Sequence, residues 1–370
     1  MTKPRLVVAG LGDSGLLTAI HLSRRARVVG ISAKPGLLSG QELGLRLARP
    51  DEWVQEYWTS FDRYRRLDGV RTVHGTLTGL DPDAREVEVT LPDGSLRTEP
   101  YDVVVVATRV TNGFWRRPHL QSADEVAIDL QSAHQQLAGS GSVVVVGGGA
   151  AAVSSALNVA HRWPEKRVDL CFPGDRPLPG HHPRVWSHVR SRLAGAGVRL
   201  HPRHRAALPD DEAPRAITEG PVAWTTGQEP MAADAVLWAV GRISPNTDWM
   251  PADLLDDDGF VRALPTLQLP GRPEAFAVGD VAATDPLRCS ARNRADRLLA
   301  ANIRAHLAGR PLRSFEPPRS RWGSVLGPQH DGLQVFAPSG HPFRFPAWSV
   351  RRVLRPWIVQ RGIYKGVRSS

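Results

Sequence analysis

The chain has 370 residues, 41% hydrophobic and 23% charged, the profile of a water-soluble globular protein of two or three domains. Its 47 Lys and Arg against 37 Asp and Glu give a formal charge of +10. The arginines are nonetheless scattered, and no helix-turn-helix, finger or RNA-binding signature is present, so no nucleic-acid partner is expected. No apolar run reaches the ~18–20 residues of a membrane span, and the stretch at 6–9 is too short for a signal sequence, so the expectation is a cytoplasmic protein.

Along the chain, residues 5–9 predict a strand that runs into Gly10-Leu-Gly12-Asp13-Ser14-Gly15, followed by a helical pattern at 16–22 and a second apolar run at 28–31. This strand, glycine-rich turn, helix and strand form a dinucleotide-binding pattern. Gly10 permits the tight turn, Gly12 lets the backbone approach a pyrophosphate, and Gly15 lets helix and strand pack closely. The helix N-terminus then offers free N–H groups to phosphates. The acidic residue that usually bonds the ribose at the end of the second strand is absent. Ser32 could bond a ribose hydroxyl there, and Lys34 could reach a phosphate.

Residues 69–80 and 86–89 alternate as strands, and 101–108 reads as a fully buried one. The first pattern then returns: a strand at 142–146, the turn Gly147-Gly-Gly149-Ala-Ala-Ala152, a helix at 153–162 and a strand at 167–172. Ala152 in the third position is an accepted variant. Two such units imply two nucleotide sites. No carboxylate ends the second strand of this unit either; Arg176 nearby, with Arg184 beyond, could accept a 2′-phosphate, which favours NADPH over NADH. Strands at 198–200, 223–226 and 235–240 and a helix at 291–307 follow, and Trp238 reads as core. Cys171 and Cys289, with no CxxC pair, exclude a dithiol redox centre and read as small buried hydrophobes. His181 and His182 lack metal-ligand spacing and read as surface residues, so no metal is expected.

Tyr101-Asp102-Val-Val-Val-Val-Ala107-Thr108 resembles the DxxxxATG segment of the FAD-dependent pyridine nucleotide-disulfide oxidoreductases, flavoproteins with two dinucleotide domains. Residues 234–247, with Gly241 and Asn246, resemble their second crossover, and Phe276-Ala-Val-Gly279-Asp280 their terminal flavin motif. Leu43-Gly44-Leu45-Arg46, residues 75–81 and residues 326–332 resemble the branch holding type II NADH dehydrogenases and the apoptosis-inducing-factor-like, ferroptosis-suppressing quinone reductases. The resemblance implies an α/β fold of two Rossmann-like three-layer domains, the NAD(P) domain (136–244) inserted in the FAD domain (1–135 and 245–312), with a C-terminal segment at 313–370 covering the flavin. Gly10, Gly12, Asp13, Ser14 and Gly15 would hold the FAD pyrophosphate. Arg46 would touch the cofactor, the Leu77 backbone the adenine, and Ala107 and Thr108 the crossover side of the site. Asp280, after Gly279, would accept hydrogen bonds from the ribityl chain, while Gly147, Gly149, Ala152 and Arg176 would serve NAD(P)H.

Two residues depart from that pattern: Arg109 stands where the family has Gly, and Ser154 where the branch has a Glu near the nicotinamide. The implied reaction takes hydride from NAD(P)H onto flavin and passes two electrons to an acceptor, with no protein acid or base named as catalytic and a quinone favoured as acceptor. An acidic, ferredoxin-like carrier protein and a flavin-binding sensor with little turnover are the alternatives. The tail at 350–368 mixes bulky apolar residues with cations, which suits anionic lipid. Pro356 and Gly362 argue against one long helix there, and packing on the flavin domain with arginines in water is the plainer reading.

Overall fold

The computed structural model describes residues 2–38, 43–112, 118–208, 216–241, 243–284, 295–317 and 322–368. The first sheet begins with β1 (Arg5–Ala9), β2 (Arg27–Ser32), β3 (Val70–His74) and β4 (Val103–Val106). The chain then builds a second sheet from β5 (Ser142–Val146), β6 (Arg167–Cys171), β7 (Arg199–His201), β8 (Ile217–Val222) and β9 (Met231–Trp238), and returns with β10 (Gln268–Leu269) and β11 (Arg272–Ala277). The strand orders are β10-β11-β4-β1-β2-β3 and β7-β6-β5-β9-β8. Only β10 and β8 run antiparallel to their neighbours.

The central strands are apolar throughout because both faces of a parallel sheet are covered. In β1, Leu6 and Val8 join the cluster under α1 (Asp13–Leu22) and α7 (Ala295–Leu307). Val7 and Ala9 point the other way, toward Val87, Val89 and Trp249. In the second sheet Val143 and Val145 face α5 (Ala150–Arg162), while Val144, Val146, Cys171 and Trp238 form the opposite core. Trp238 is buried, and its indole N–H donates to Thr218 Oγ1 at 2.8 Å.

The alternating run at 69–80 divides at Gly75 between two sheets. Residues before it form β3; Thr76–Asp81 joins Glu86–Thr90 and Leu96–Pro100 in a separate antiparallel sheet. A Cβ at Gly75 would meet Thr90 O at 2.8 Å, so the chain crosses there only without a side chain. The expected strand at 223–226 lies earlier, at β8, and Trp224 makes only an isolated bridge with Ala206. Pro221 within β8 hid it, and an edge strand tolerates that proline. The helix expected at 291–307 is observed from Ala295; residues 285–294, including Cys289, lie outside the described residues. Cys171 is buried, and that burial, with Asp169 beside it, pushes its thiol up to about 12.

The C-terminal segment spans both sheets. Val325, Leu326 and Phe336 belong to the core around α5, and Arg192 of α6 (Pro183–Gly195) pairs with Asp331 at 3.1 Å. The chain then forms a continuous π-helix, Val350–Ile363, with Pro356 inside it, contrary to the expectation of a broken segment. Wide i→i+5 turns relieve the contact that a proline ring makes with the carbonyl four residues back in an α-helix. The helix does lie on the first unit, with Arg351 56% exposed to water and Arg355 partly buried. Arg351 and Arg355 pair with Glu56 of α3 (Pro50–Glu56) at 3.5 and 3.3 Å.

One buried ion cluster staples the edge of the second sheet. Asp169 in β6 is fully buried and takes Arg199 Nε and Nη2 at 2.8 and 2.7 Å, His201 Nε2 at 2.7 Å, and Arg167 Nε at 3.2 Å. Burial alone would raise this carboxyl, but the hydrogen bonds from Arg199 and His201 outweigh it and hold it below the usual carboxylate range. Because the folded carboxyl ionises more readily than the unfolded one, its stabilisation is present above about pH 4 and is lost as pH falls below it. Asp169→Ala is expected to cost ~2–3 kcal/mol in urea denaturation at neutral pH. The difference from wild type should shrink on acidification; a pH-independent difference would contradict the assignment.

Candidate functional site

The site grows from the turn between β1 and α1. Gly10 has φ +100°, and a Cβ there would lie 2.5 Å from Ala107 O. Gly15 allows no Cβ either, since one would strike the Gly10 carbonyl and come within 3.1 Å of the Ala107 Cβ. Strand, helix and the continuation of β4 therefore meet backbone to backbone. Gly12 is the N-cap of α1 and supplies no side-chain cap, so the first-turn amides face outward. Gly279, with φ +85°, leans on the same turn, its Cβ position 3.2 Å from Ser14 Oγ. That contact sets Asp280 beside the start of α1.

Ala107 and Thr108 lead into a two-strand clamp. Val110–Asn112 pairs antiparallel with Ile243–Pro245. Asn246 ties them further: its amide donates to Thr108 O at 2.9 Å, and its Oδ1 accepts from Thr111 Oγ1 at 2.7 Å. Thr108 Oγ1 is buried without a hydrogen-bond partner among the described residues, a polar atom available to a ligand in this groove. Arg109, with φ +66°, lays its guanidinium across Gly12. It donates to Leu38 O at 2.5 Å and to Asp13 Oδ2 at 2.7 Å. Asp13 also accepts from the hydroxyl of Tyr364 in the tail at 3.0 Å. Tyr364 had no local sequence signal, because its partner lies 351 residues away.

The other expected first-site residues are distributed around this turn. Ser32 Oγ accepts from the Lys34 amide at 3.2 Å within the local turn, and the Lys34 ammonium donates to the His119 carbonyl, 85 residues further along the chain. Leu77 is the second residue of the strand Thr76–Asp81 just beyond β3, where Gly75 N donates to Ser32 O at 3.0 Å. Arg46, in α2 (Leu43–Ala48), is fully buried, its guanidinium 5.4 Å from the Trp53 ring centre.

The second turn repeats the first. Gly147 has φ +146° with the Ala239 carbonyl where a Cβ would be, and Ala152 is buried against it. Gly149 caps α5 without a side-chain bond and has open space above it. Residues 173–178 fold over Gly148, through Leu178 N to Gly148 O at 2.7 Å. Arg176 in that loop has Nη1 buried with no hydrogen-bond partner among the described residues, and Nη2 makes only long contacts of 3.5 and 3.4 Å to Pro179 O and His181 O. His181 and His182 are exposed. Gly241, with φ +72°, is exposed beyond β9.

Ser154 lies in the first half of α5 and packs against α2 and the C-terminal segment. It is buried on α5, where a Cβ at Gly44 would meet its carbonyl at 2.5 Å, and its hydroxyl donates to Leu326 O at 2.7 Å. A small residue here lets α2, α5 and the C-terminal segment meet. Among the described residues no group of His, Cys, Asp or Glu could hold a metal, and no helix is long and apolar enough to cross a membrane.

Comparison with known proteins agrees with this geometry. The chain is 26% identical over 270 residues to an FAD-dependent oxidoreductase of Flammulina velutipes, covering 71% of this chain and 81% of that protein. It is 28% identical over 237 residues to ferroptosis suppressor protein 1 of Xenopus tropicalis, covering 62% and 60%. Among solved structures, the sulfide:quinone oxidoreductase of Aquifex aeolicus superposes with a TM-score of 0.72 at 16% identity over 99% of this chain and 93% of that one. The putidaredoxin reductase–putidaredoxin complex gives 0.64 at 21% over 92% and 88%. A persulfide reductase from A. fulgidus gives 0.67 at 18% over 90% of this chain, which spans 63% of that one. These likenesses show the shared fold. The pyridine nucleotide-disulphide oxidoreductase family matches residues 4–302, and the chain belongs to it.

Proposed function

We propose that this protein is an FAD-dependent NAD(P)H oxidoreductase, with FAD at the first glycine turn, NADPH at the second and a quinone as electron acceptor. The observation that carries the reading is the repeated device. Each turn has a positive-φ glycine against a neighbouring backbone and an N-cap glycine leaving the helix amides open. When bound, such a cofactor pair supplies hydride transfer and two-electron storage. The protein's part is to bind, orient and shield. The amides at Gly12–Ser14 and at Gly149 would hold phosphates, Thr108 Oγ1 is a buried polar atom that a ligand could use, and Asp280 would accept hydrogen bonds from a ribityl chain. Arg176 Nη1 is the spare donor for a 2′-phosphate, which supports NADPH. A quinone reaching the flavin directly fits a chain without a CxxC pair, and the likeness to a sulfide:quinone oxidoreductase supports it.

The tail supplies a surface for a lipid-borne acceptor. While Arg351 and Arg355 grip α3, Trp348, Trp357 and Ile358 stand 65%, 57% and 53% exposed, with Arg361 over the Trp357 ring at 5.0 Å. Apolar rings flanked by cations suit an anionic membrane surface. A second reading, a flavin-binding sensor with little turnover, is favoured by Arg109 across the first turn.

Mixed anaerobically with NADPH in a stopped-flow cell, the flavin-loaded protein is expected to bleach, faster than with NADH; a yellow protein that neither nucleotide bleaches would replace the enzyme reading with the sensor. Arg176→Ala should weaken NADPH binding ~10-fold and leave NADH unchanged. Equal effects on both would remove the 2′-phosphate role. In sedimentation with vesicles containing anionic lipid, wild type should pellet and the W348A/W357A double variant should not.

A further inference from the structure

Arg109 occupies the place through which a bound dinucleotide's diphosphate must pass. A Cβ on Gly12 would lie 2.8 Å from its Cζ and 2.9 Å from its Cδ, so the guanidinium lies on the glycine whose bareness is meant to admit phosphate. Its two bonds there are a carbonyl, Leu38 O, and a carboxylate, Asp13 Oδ2. Asp13 is 44% exposed, and Tyr364 holds its other oxygen. A diphosphate cannot share this space with the guanidinium as it stands. It can, however, replace the carboxylate as its partner.

We propose that Arg109 is a switching clamp for the FAD diphosphate: on binding, its side chain rotates off Asp13 and Gly12 and closes on the phosphate oxygens. The exchange is favourable in kind. The ion pair with Asp13 is partly solvent-screened, whereas a planar guanidinium meets phosphate oxygens with two parallel charge-assisted bonds. The carboxylate left behind is next to the incoming negative charge, and the hydrogen bond from Tyr364 keeps it turned toward the tail. The move needs only side-chain rotation. The backbone of Arg109 stays fixed in the left-handed region by Asn246, whose amide donates to Arg109 O at 3.2 Å. The inference rests on FAD occupying the first turn.

The test is equilibrium titration of the flavin-stripped full chain with FAD, read by flavin fluorescence at low and high salt. Arg109→Gly suits φ +66° and removes the side chain without backbone strain, and circular dichroism checks its fold. Arg109→Lys keeps the charge and loses the planar fork. The expected result is a Kd for FAD raised at least ~10-fold in R109G with a flatter salt dependence, and an intermediate Kd in R109K. An R109G protein that binds FAD as tightly as wild type, or more tightly, would overturn the clamp and leave the flavin reading intact. A wild-type chain that binds no FAD would overturn both.

Discussion

Everything in the first unit depends on a backbone contact with no side chain in it. Gly10, Gly15 and the Ala107 carbonyl approach so closely that a single added carbon on either glycine meets main-chain atoms. That closeness seats α1 directly on β1, which lets Leu16, Leu17, Ile20 and Leu22 reach the core. Each such side chain, fully buried, contributes roughly 1.5–3 kcal/mol. The same contact fixes where β4 ends, and therefore where Thr108, Arg109 and the clamp around Asn246 begin. A packing requirement and a binding groove are thus one piece of geometry: the turn too tight for side chains is the turn that can admit phosphates.

The C-terminal segment adds a second layer of dependence. It lends Leu326 and Phe336 to the core around α5, accepts the Ser154 hydroxyl through the Leu326 carbonyl, and ends with Tyr364 on Asp13. The small residue at position 154 is explained by this crowding. With Gly44 and the Leu326 carbonyl both in contact, a longer acidic side chain has no room in this packing. The exposed Trp357 and Ile358 of the π-helix and the arginines that pair with Glu56 come from one amphipathic design, in which charge binds the protein and apolar groups face out.

Much of this was legible in the sequence because parallel strands buried on both faces must be apolar without alternation, and because the turns after β1 and β5 admit little besides glycine. The two sheets, both turns and the burial of Trp238 followed from those two facts. What was not legible depends on distant partners. The split at Gly75 is set by Thr90 across a hairpin, and β8 is hidden by Pro221, tolerated only because the strand is at an edge. The helix through Pro356 lies against Glu56, some 300 residues earlier, which pairs with its Arg351 and Arg355. Arg109 could be noticed as out of pattern, but its lodging on Gly12 and Asp13 is a fact of three dimensions. Ser32 and Lys34, ligand candidates by position, also bond within the protein, Lys34 to a carbonyl 85 residues away that no local pattern reveals.

The order of strands also governs how the molecule is made. All five strands of the second sheet come from one continuous stretch, β5 to β9, while the first sheet needs β1 at one end and β11 some 270 residues later. During synthesis the inner sheet can therefore close while the outer one still lacks an edge, with β4 waiting for β11 and α1 for α7. Leu16, Leu17 and their neighbours on α1 stay uncovered until α7 is made. The outer sheet waits for β11 and α7, and the core around α5 is itself completed only when Leu326 and Phe336 arrive.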